Sequence, residues 1–204
     1  MSDRLEITVK SSILDRHRKL TIDENYIQFD DKDHVDAEPT RFEKENIIGI
    51  RYGVSLISGY RFYIGRIYCI DIKNESGKII KLRLKSIYGI RKKILGEKYV
   101  QIVNSLFDNY YEDLIRHYIN LFNNQLPFEL LKVQFTSEGI GLKPNEDVIP
   151  WNDVGTRNYI RYYSLFSKSN PNYYRTFEYL EEWNTGILYS VSRYILREKG
   201  LWTT

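Results

Sequence analysis

The sharpest chemical pattern in the chain is Lys78-Ile79-Ile80-Lys81-Leu82-Arg83-Leu84-Lys85-Ser86. In an extended strand, side chains alternate between faces, so Ile80, Leu82 and Leu84 turn to a core while Lys81, Arg83 and Lys85 line up outside. With Arg91, Lys92 and Lys93 close behind, such a row can hold the phosphates of lipid headgroups or of a nucleic acid. Near an anionic leaflet each cation contributes roughly 1 kcal/mol before salt screening. The same pattern also suits a solvated sheet face, or an edge strand that lysines guard against aggregation. A second stretch interleaves cations and rings: Arg157-Asn158-Tyr159-Ile160-Arg161-Tyr162-Tyr163, then Tyr173-Tyr174-Arg175. Exposed, Tyr159, Arg161, Tyr163, Tyr173 and Tyr174 offer a protein-binding surface, or a platform on which bases could stack. As packing residues the same tyrosines would be half-buried along strands.

Catalytic chemistry finds little footing. His117 follows Asp113 by four residues, which puts both on one helix face, but a single pair makes neither a metal site nor an acid–base constellation. His17 and His34 fall in polar segments, and Cys69 lies inside a strand pattern, where it reads as a small core residue. Glu178, Glu181 and Glu182 beside Trp183 could pair as carboxylates, although a solvated strand end explains them better. There is no phosphate-cradling glycine loop, no serine elbow and no zinc-ligand spacing. The reading is therefore of a protein that is not an enzyme and takes no cofactor and no metal.

These residues must be positioned by a hub, and residues 97–123 read as one long amphipathic helix. Apolar side chains recur at Tyr99, Ile102/Val103, Leu106, Tyr110, Leu114, Tyr118 and Leu121/Phe122, steps that keep one stripe against a core. Before it, Leu5–Val9 alternates as an edge strand, and Lys19–Phe29 forms a hairpin around Asp23-Glu24-Asn25. An acidic loop from Asp30 to Glu38 follows, then a strand over Phe42–Tyr52, a turn region at Gly53–Gly59 and a long strand over Arg61–Lys73. Glu75-Ser76-Gly77-Lys78 turns the chain into the basic strand, and a basic loop, Tyr88–Lys93, leads to the helix.

After Pro127 the pattern restarts. Within Leu131–Leu142, residues 132–142 overlay Lys19–Phe29 at a constant offset of 113, so that Leu20 meets Val133, Ile22 meets Phe135 and Ile27 meets Ile140. Pro150-Trp151-Asn152-Asp153-Val154 then takes the part of the step around Ile47. Aromatic strands over Tyr159–Phe166 and Tyr173–Glu181 precede a closing helix that Asn184 is placed to cap. Both halves run hairpin, strand, meander, helix, which points to an internal duplication with the second copy trimmed, short enough to have lost strands.

Length and composition agree. The 204 residues hold 42% hydrophobic and 15% aromatic side chains, enough to bury a core. Eighteen tyrosines against one alanine, Ala37, lean towards sheet. One cysteine rules out an intrachain disulfide, and no stretch has the length and apolarity of a membrane span. Met1–Glu6 lacks the pattern of a secretory leader, so the expected location is the cytoplasm, with a peripheral place at the membrane as the alternative. The net charge of +3 is unevenly spread: Thr40–Lys93 holds thirteen cations against four acids, +9, and the remainder sums to −6. Such asymmetry suits an anionic partner for the middle segment.

A bent antiparallel sheet plugged by one C-terminal helix is the plan that pleckstrin-homology-like domains share, and the chain resembles two of them in tandem. The Ser137-Glu138-Gly139-Ile140 hairpin followed by Val148-Ile149-Pro150-Trp151-Asn152-Asp153-Val154 is similar to bacterial members of that superfamily. The resemblance implies an α+β, mainly β fold in two units, 1–126 and 127–204, each a partial barrel closed by an amphipathic helix. It also implies a non-catalytic binding or scaffold module that docks a protein partner. The alternative partner is an anionic membrane surface, met by the basic 78–93 segment; nucleic acid fits less well. Relatives that bind phosphoinositides place their cations around the first hairpin, which here carries Asp23 and Glu24.

Overall fold

The computed structural model describes residues 4–10, 15–34, 37–143 and 147–202. The fold is α+β, mostly strand, and every strand pairing is antiparallel. The chain divides into two compact units, Met1–Tyr111 and Glu112–Thr204. The division falls inside the helical run, fifteen residues before the boundary that the sequence suggests after residue 126.

In the first unit, β1 (Leu5–Val9), β2 (Arg18–Ile22), β3 (Tyr26–Phe29) and β4 (Thr40–Glu43) form a four-stranded meander with β1 at its edge. Alternation sends Leu20, Ile22, Ile27, Phe29 and Phe42 inward, each at most 3% exposed, and burying each such side chain contributes about 1.5–3 kcal/mol. A 3-10 turn at Lys44–Asn46 leads into a three-stranded sheet of β5 (Ile47–Ser58), β6 (Tyr63–Asn74) and β7 (Ile79–Ile87). Helix α1 (Lys92–Leu106) packs on β1, β2, β6 and β7.

Two sequence expectations change here. Gly53 does not begin a turn: it pairs with Cys69 in mid-sheet, and β5 runs on to Ser58 because the alternation of side chains persists. The turn is Gly59–Phe62, closed by the Gly59 N–H on Phe62 O. The acidic loop, of which Asp36 lies outside the described residues, is also not merely solvated. Asp30 accepts the Lys19 N–H, Asp31 accepts the Thr40 hydroxyl and Asp33 pairs with Arg18 at 2.9 Å.

The second unit repeats the plan. β8 (Phe128–Leu130), β9 (Val133–Phe135), β10 (Gly139–Gly141) and β11 (Ile149–Pro150) form a four-stranded sheet. A 3-10 turn, Trp151–Asp153, leads to β12 (Val154–Asn158), β13 (Tyr162–Ser167) and β14 (Tyr174–Glu178), and α3 (Thr185–Glu198) follows. Tyr159 stands in the β12–β13 turn, where the sequence expects strand. The copies agree bond by bond. Ile22 faces Ile27 as Phe135 faces Ile140, and Ile27 faces Phe42 as Ile140 faces Ile149. The Asp23 N–H reaches Tyr26 O as the Thr136 N–H reaches Gly139 O. The Lys44 and Trp151 N–H groups close on Asn25 O and Glu138 O, and those of Glu75 and Lys168 on Asn46 O and Asp153 O. Among the described residues the second unit has seven strands in the same sheet order as the first, and they are shorter. β5 and β6 have twelve residues each, against five and six in β12 and β13.

Between α1 and α2 (Glu112–Asn123) the helix widens into a π turn at Phe107–Tyr111. The wider turn frees a carbonyl from the regular ladder, and the Asn109 side-chain amide donates to Ser105 O at 2.7 Å. It also buries consecutive tyrosines: the Tyr110 hydroxyl donates to Asp23 O and the Tyr111 hydroxyl to Ile50 O, both at 2.7 Å. One extra residue advances the apolar stripe, so Ile115 is half-buried while Leu114, expected to be in the core, is 42% exposed. α2 packs on β8 and α3. Asn184 does open α3, but through its left-handed backbone (φ 64°) and not by a side-chain cap; Arg91 (φ 58°) opens α1 the same way.

Candidate functional site: an aromatic cleft on the second three-stranded sheet

The step into β12 is anchored at both ends. Trp151 donates its indole N–H to Thr136 O at 3.1 Å, tying the 3-10 turn to the β9–β10 hairpin. Asp153 accepts the hydroxyls of Ser167 (2.5 Å) and Ser169 (2.9 Å) and the Ser169 N–H (2.8 Å), which fixes the chain leaving β13. These bonds hold the Asp153 carboxyl below its ordinary pKa, the Ser167 hydroxyl contributing most.

On the sheet so anchored, the inner face takes Tyr163, Leu165 and Phe177, all fully buried. Period-two alternation therefore turns Tyr162, Ser164 and Phe166 of β13 outward, with Arg157 of β12 and Tyr174 and Thr176 of β14 beside them. Together with Tyr159, Lys168 and Pro171 they line an open cleft of about 490 Å³, within the usual size range of ligand sites. Tyr159 and Tyr162 pack at one end with centroids 4.7 Å apart and their planes tilted by 36°. At the other, the Arg157 guanidinium lies 5.2 Å from the Phe166 ring centre. Gly155 makes room for that ring: a Cβ there would sit 2.4 Å from it. Two cations, four rings and no carboxylate line the cleft.

The cleft collects only part of the expected set. Tyr159 (43% exposed) and Tyr174 (56%) belong to it. Tyr163 does not: it is fully buried, its hydroxyl 3.0 Å from Ser192 Oγ. Tyr173 is half-buried and donates to Asp147 O at 3.1 Å, and Arg161 is exposed outside the lining. Phe166 and Lys168 were missed. The signal that finds Phe166 is parity: it alternates with Leu165 and Tyr163, which face in.

The basic row resolves differently. Lys81, Arg83 and Lys85 do share the outer face of β7. Arg83, however, is drawn to Asp71, buried on the neighbouring strand: its Nη1 lies 2.6 Å from Asp71 Oδ1. The two charges are in direct contact, and Nη1 also reaches Leu82 O at 2.8 Å. Asp71 Oδ2 accepts the Arg51 Nε–H at 3.0 Å. Burial works against the Arg83 charge, but Asp71 outweighs it and raises the guanidinium pKa. Arg91, Lys92 and Lys93 begin α1, whose Lys92 carbonyl meets the Tyr68 hydroxyl from the inner face of β6. The six cations thus occupy two sides of the sheet.

Among the other candidates, His117 and Asp113 are exposed on α2. Among the described residues no His, Cys, Asp and Glu side chains gather as a metal site. His34 and His17 are both exposed. Cys69 is buried, which pushes its thiol pKa up. Glu182 is raised by burial and countered by Arg175 at 3.9 Å, whereas Glu178 and Glu181 are exposed. No described helix is long and apolar enough to cross a membrane. Compared with protein-family models, curated proteins and solved structures, the chain matches none.

Proposed function

We propose that the chain is a non-catalytic binding module of two pleckstrin-homology-like units, and that its β12–β14 cleft docks an extended segment of a protein partner. The fold plan supports the first half of this reading: each unit has a four-stranded and a three-stranded antiparallel sheet followed by a helix. The observation that carries the second half is the cleft lining. Rings on an open, rigid sheet suit a proline- or aromatic-rich segment, which loses little entropy on docking. Arg157 and Lys168, with no acid among the lining residues, favour acidic flanks. No carboxylate, imidazole or thiol lines the cleft beside Ser164, Lys168 and the tyrosines, which supports a binding role for it.

The test is selection from a random peptide display library, with Phe166→Ser/Tyr174→Ser as the counter-selecting variant. Enriched peptides should combine proline or aromatic residues with Asp or Glu, and should bind the variant at least about tenfold more weakly, with its circular dichroism unchanged. Peptides that bind both proteins equally would remove the cleft as the docking site. Retention of single-stranded oligonucleotides in place of peptides would reassign the rings to base stacking.

A further inference from the structure

The long β5–β6 hairpin ends in a surface that the docking cleft does not explain. Its strands are six to seven residues longer than those of the β12–β13 counterpart, roughly 20 Å of extra reach at strand spacing. The last residue of β6 paired to β7 is Gly65, opposite Ile87, so residues 58–64 pass beyond the third strand. This extension presents Tyr60 (92% exposed), Phe62 (68%) and Tyr63 (66%). The Tyr88 N–H reaches Ile64 O at 2.7 Å, which brings the β7–α1 turn to the same end. That turn adds Tyr88 (73% exposed) and Ile90 (51%), and the first turn of α1 adds Ile94 (52%). These six are among fifteen large apolar side chains exposed on the described residues, a concentration that chance scatter over a surface does not produce.

The charge around them has one sign. Residues 56–66 and 85–94 contain Arg61, Arg66, Lys85, Arg91, Lys92 and Lys93 and no acid. No described carboxylate forms an ion pair with any of the six. The turn is also held in an unfavourable backbone: Tyr88 (φ 50°) and Arg91 (φ 58°) flank Gly89 (φ 75°) in the left-handed region. Non-glycine residues are held there at a cost, a pattern that collects at functional surfaces.

We infer that the β5–β6 tip and the β7–α1 turn form a wedge that docks this chain onto an anionic lipid bilayer. Tyrosines settle at headgroup depth, Phe62, Ile90 and Ile94 enter the acyl boundary, and the cations meet lipid phosphates. The aliphatic side chains favour a bilayer over a nucleic acid, which has rings and phosphates but no hydrocarbon to receive them.

The experiment is co-sedimentation of the full chain with phosphatidylcholine vesicles, and with vesicles of equal parts phosphatidylcholine and phosphatidylglycerol, at low and high salt. The native chain should pellet with the anionic vesicles only, and less at high salt. Tyr60→Ser/Phe62→Ser/Tyr63→Ser should abolish pelleting, and Lys92→Glu/Lys93→Glu should weaken it at least about tenfold at low salt. The cleft variant Phe166→Ser/Tyr174→Ser should pellet like the native chain, so that failure of the peptide reading and failure of the wedge are separable. Independently of any variant, anionic vesicles should suppress chymotryptic cleavage at Tyr60–Tyr63. No pelleting with anionic vesicles, undiminished pelleting of the serine variant, or displacement by a single-stranded oligonucleotide would each overturn the assignment.

Discussion

Asp71 gives the most exacting test of how the first unit is held together. Its side chain is 3% exposed, while those of Arg51 and Arg83 are 21% and 36% exposed. Replacing it with asparagine keeps the volume and removes the charge between two guanidiniums. Breaking a fully buried pair in this way costs about 3–5 kcal/mol. Here water reaches both arginines and screens part of their repulsion, so the expected loss is about 2–3 kcal/mol. Arg83→Met should cost only about 1 kcal/mol, because Asp71 keeps its hydrogen bond from Arg51. The double variant should lose less than the two single losses added together, since the three groups act as one network. Cys69 provides a local readout: it lies two residues from Asp71 on the same strand, and it is buried. Its labelling along a urea gradient reports opening of this unit alone. With a urea slope of about 2 kcal/mol/M, Asp71→Asn should lower the labelling midpoint by roughly 1 M. A midpoint unchanged or raised by Asp71→Asn would refute the reasoning and make the triad a surface contact of no consequence.

Three further outcomes follow from the geometry. The depressed Asp153 pKa means that its bonds contribute above the ordinary carboxylate range and are lost as pH falls through the folded value; the protection of the Ser169 amide against exchange, relative to its intrinsic rate at each pH, should be high at neutral pH, fall in acid, and be low throughout in Asp153→Ala. The Cys69 thiol, buried and with a raised pKa, should resist iodoacetamide in the folded chain at neutral pH and react fully in denaturant, as read by mass. Tyr163→Phe removes a buried hydroxyl contact with Ser192 and should cost about 1 kcal/mol in thermal or urea unfolding, leaving peptide selection on the cleft unaffected.

Most strands were legible because alternation is local. The hairpins at Lys19–Phe29 and Leu131–Leu142 carry it plainly, and their shared register survives in the hydrogen bonds. The π turn was not legible, because a stripe through Tyr110 and Leu114 looks regular on paper. Only the depth at which both Tyr110 and Tyr111 find carbonyls reveals the inserted residue. The site was half legible for a similar reason. Arg157–Tyr163 announces rings and cations, but which ring faces outward depends on the turn at Tyr159–Arg161, which sets the parity of β13. Likewise, nothing near Arg83 in sequence identifies Asp71 as its charge partner; the pairing of β6 with β7 does.

The matched registers of the two copies carry a hazard for the nascent chain. β2–β3 and β9–β10 offer each other nearly the same ladder, and neighbouring repeats on one polypeptide are prone to pair with the wrong copy before either is complete. Divergent side chains oppose that exchange. Phe135 stacks on Phe128 with centroids 4.8 Å apart, whereas its counterpart Ile22 faces Leu5, so an exchanged strand would leave a void on one side and a clash on the other. Trp151 stands where the first copy has Lys44, and only the hairpin that exposes Thr136 O can satisfy its indole. The low identity between the halves thus doubles as a sorting code, keeping each set of strands loyal to its own helix while the chain is being made.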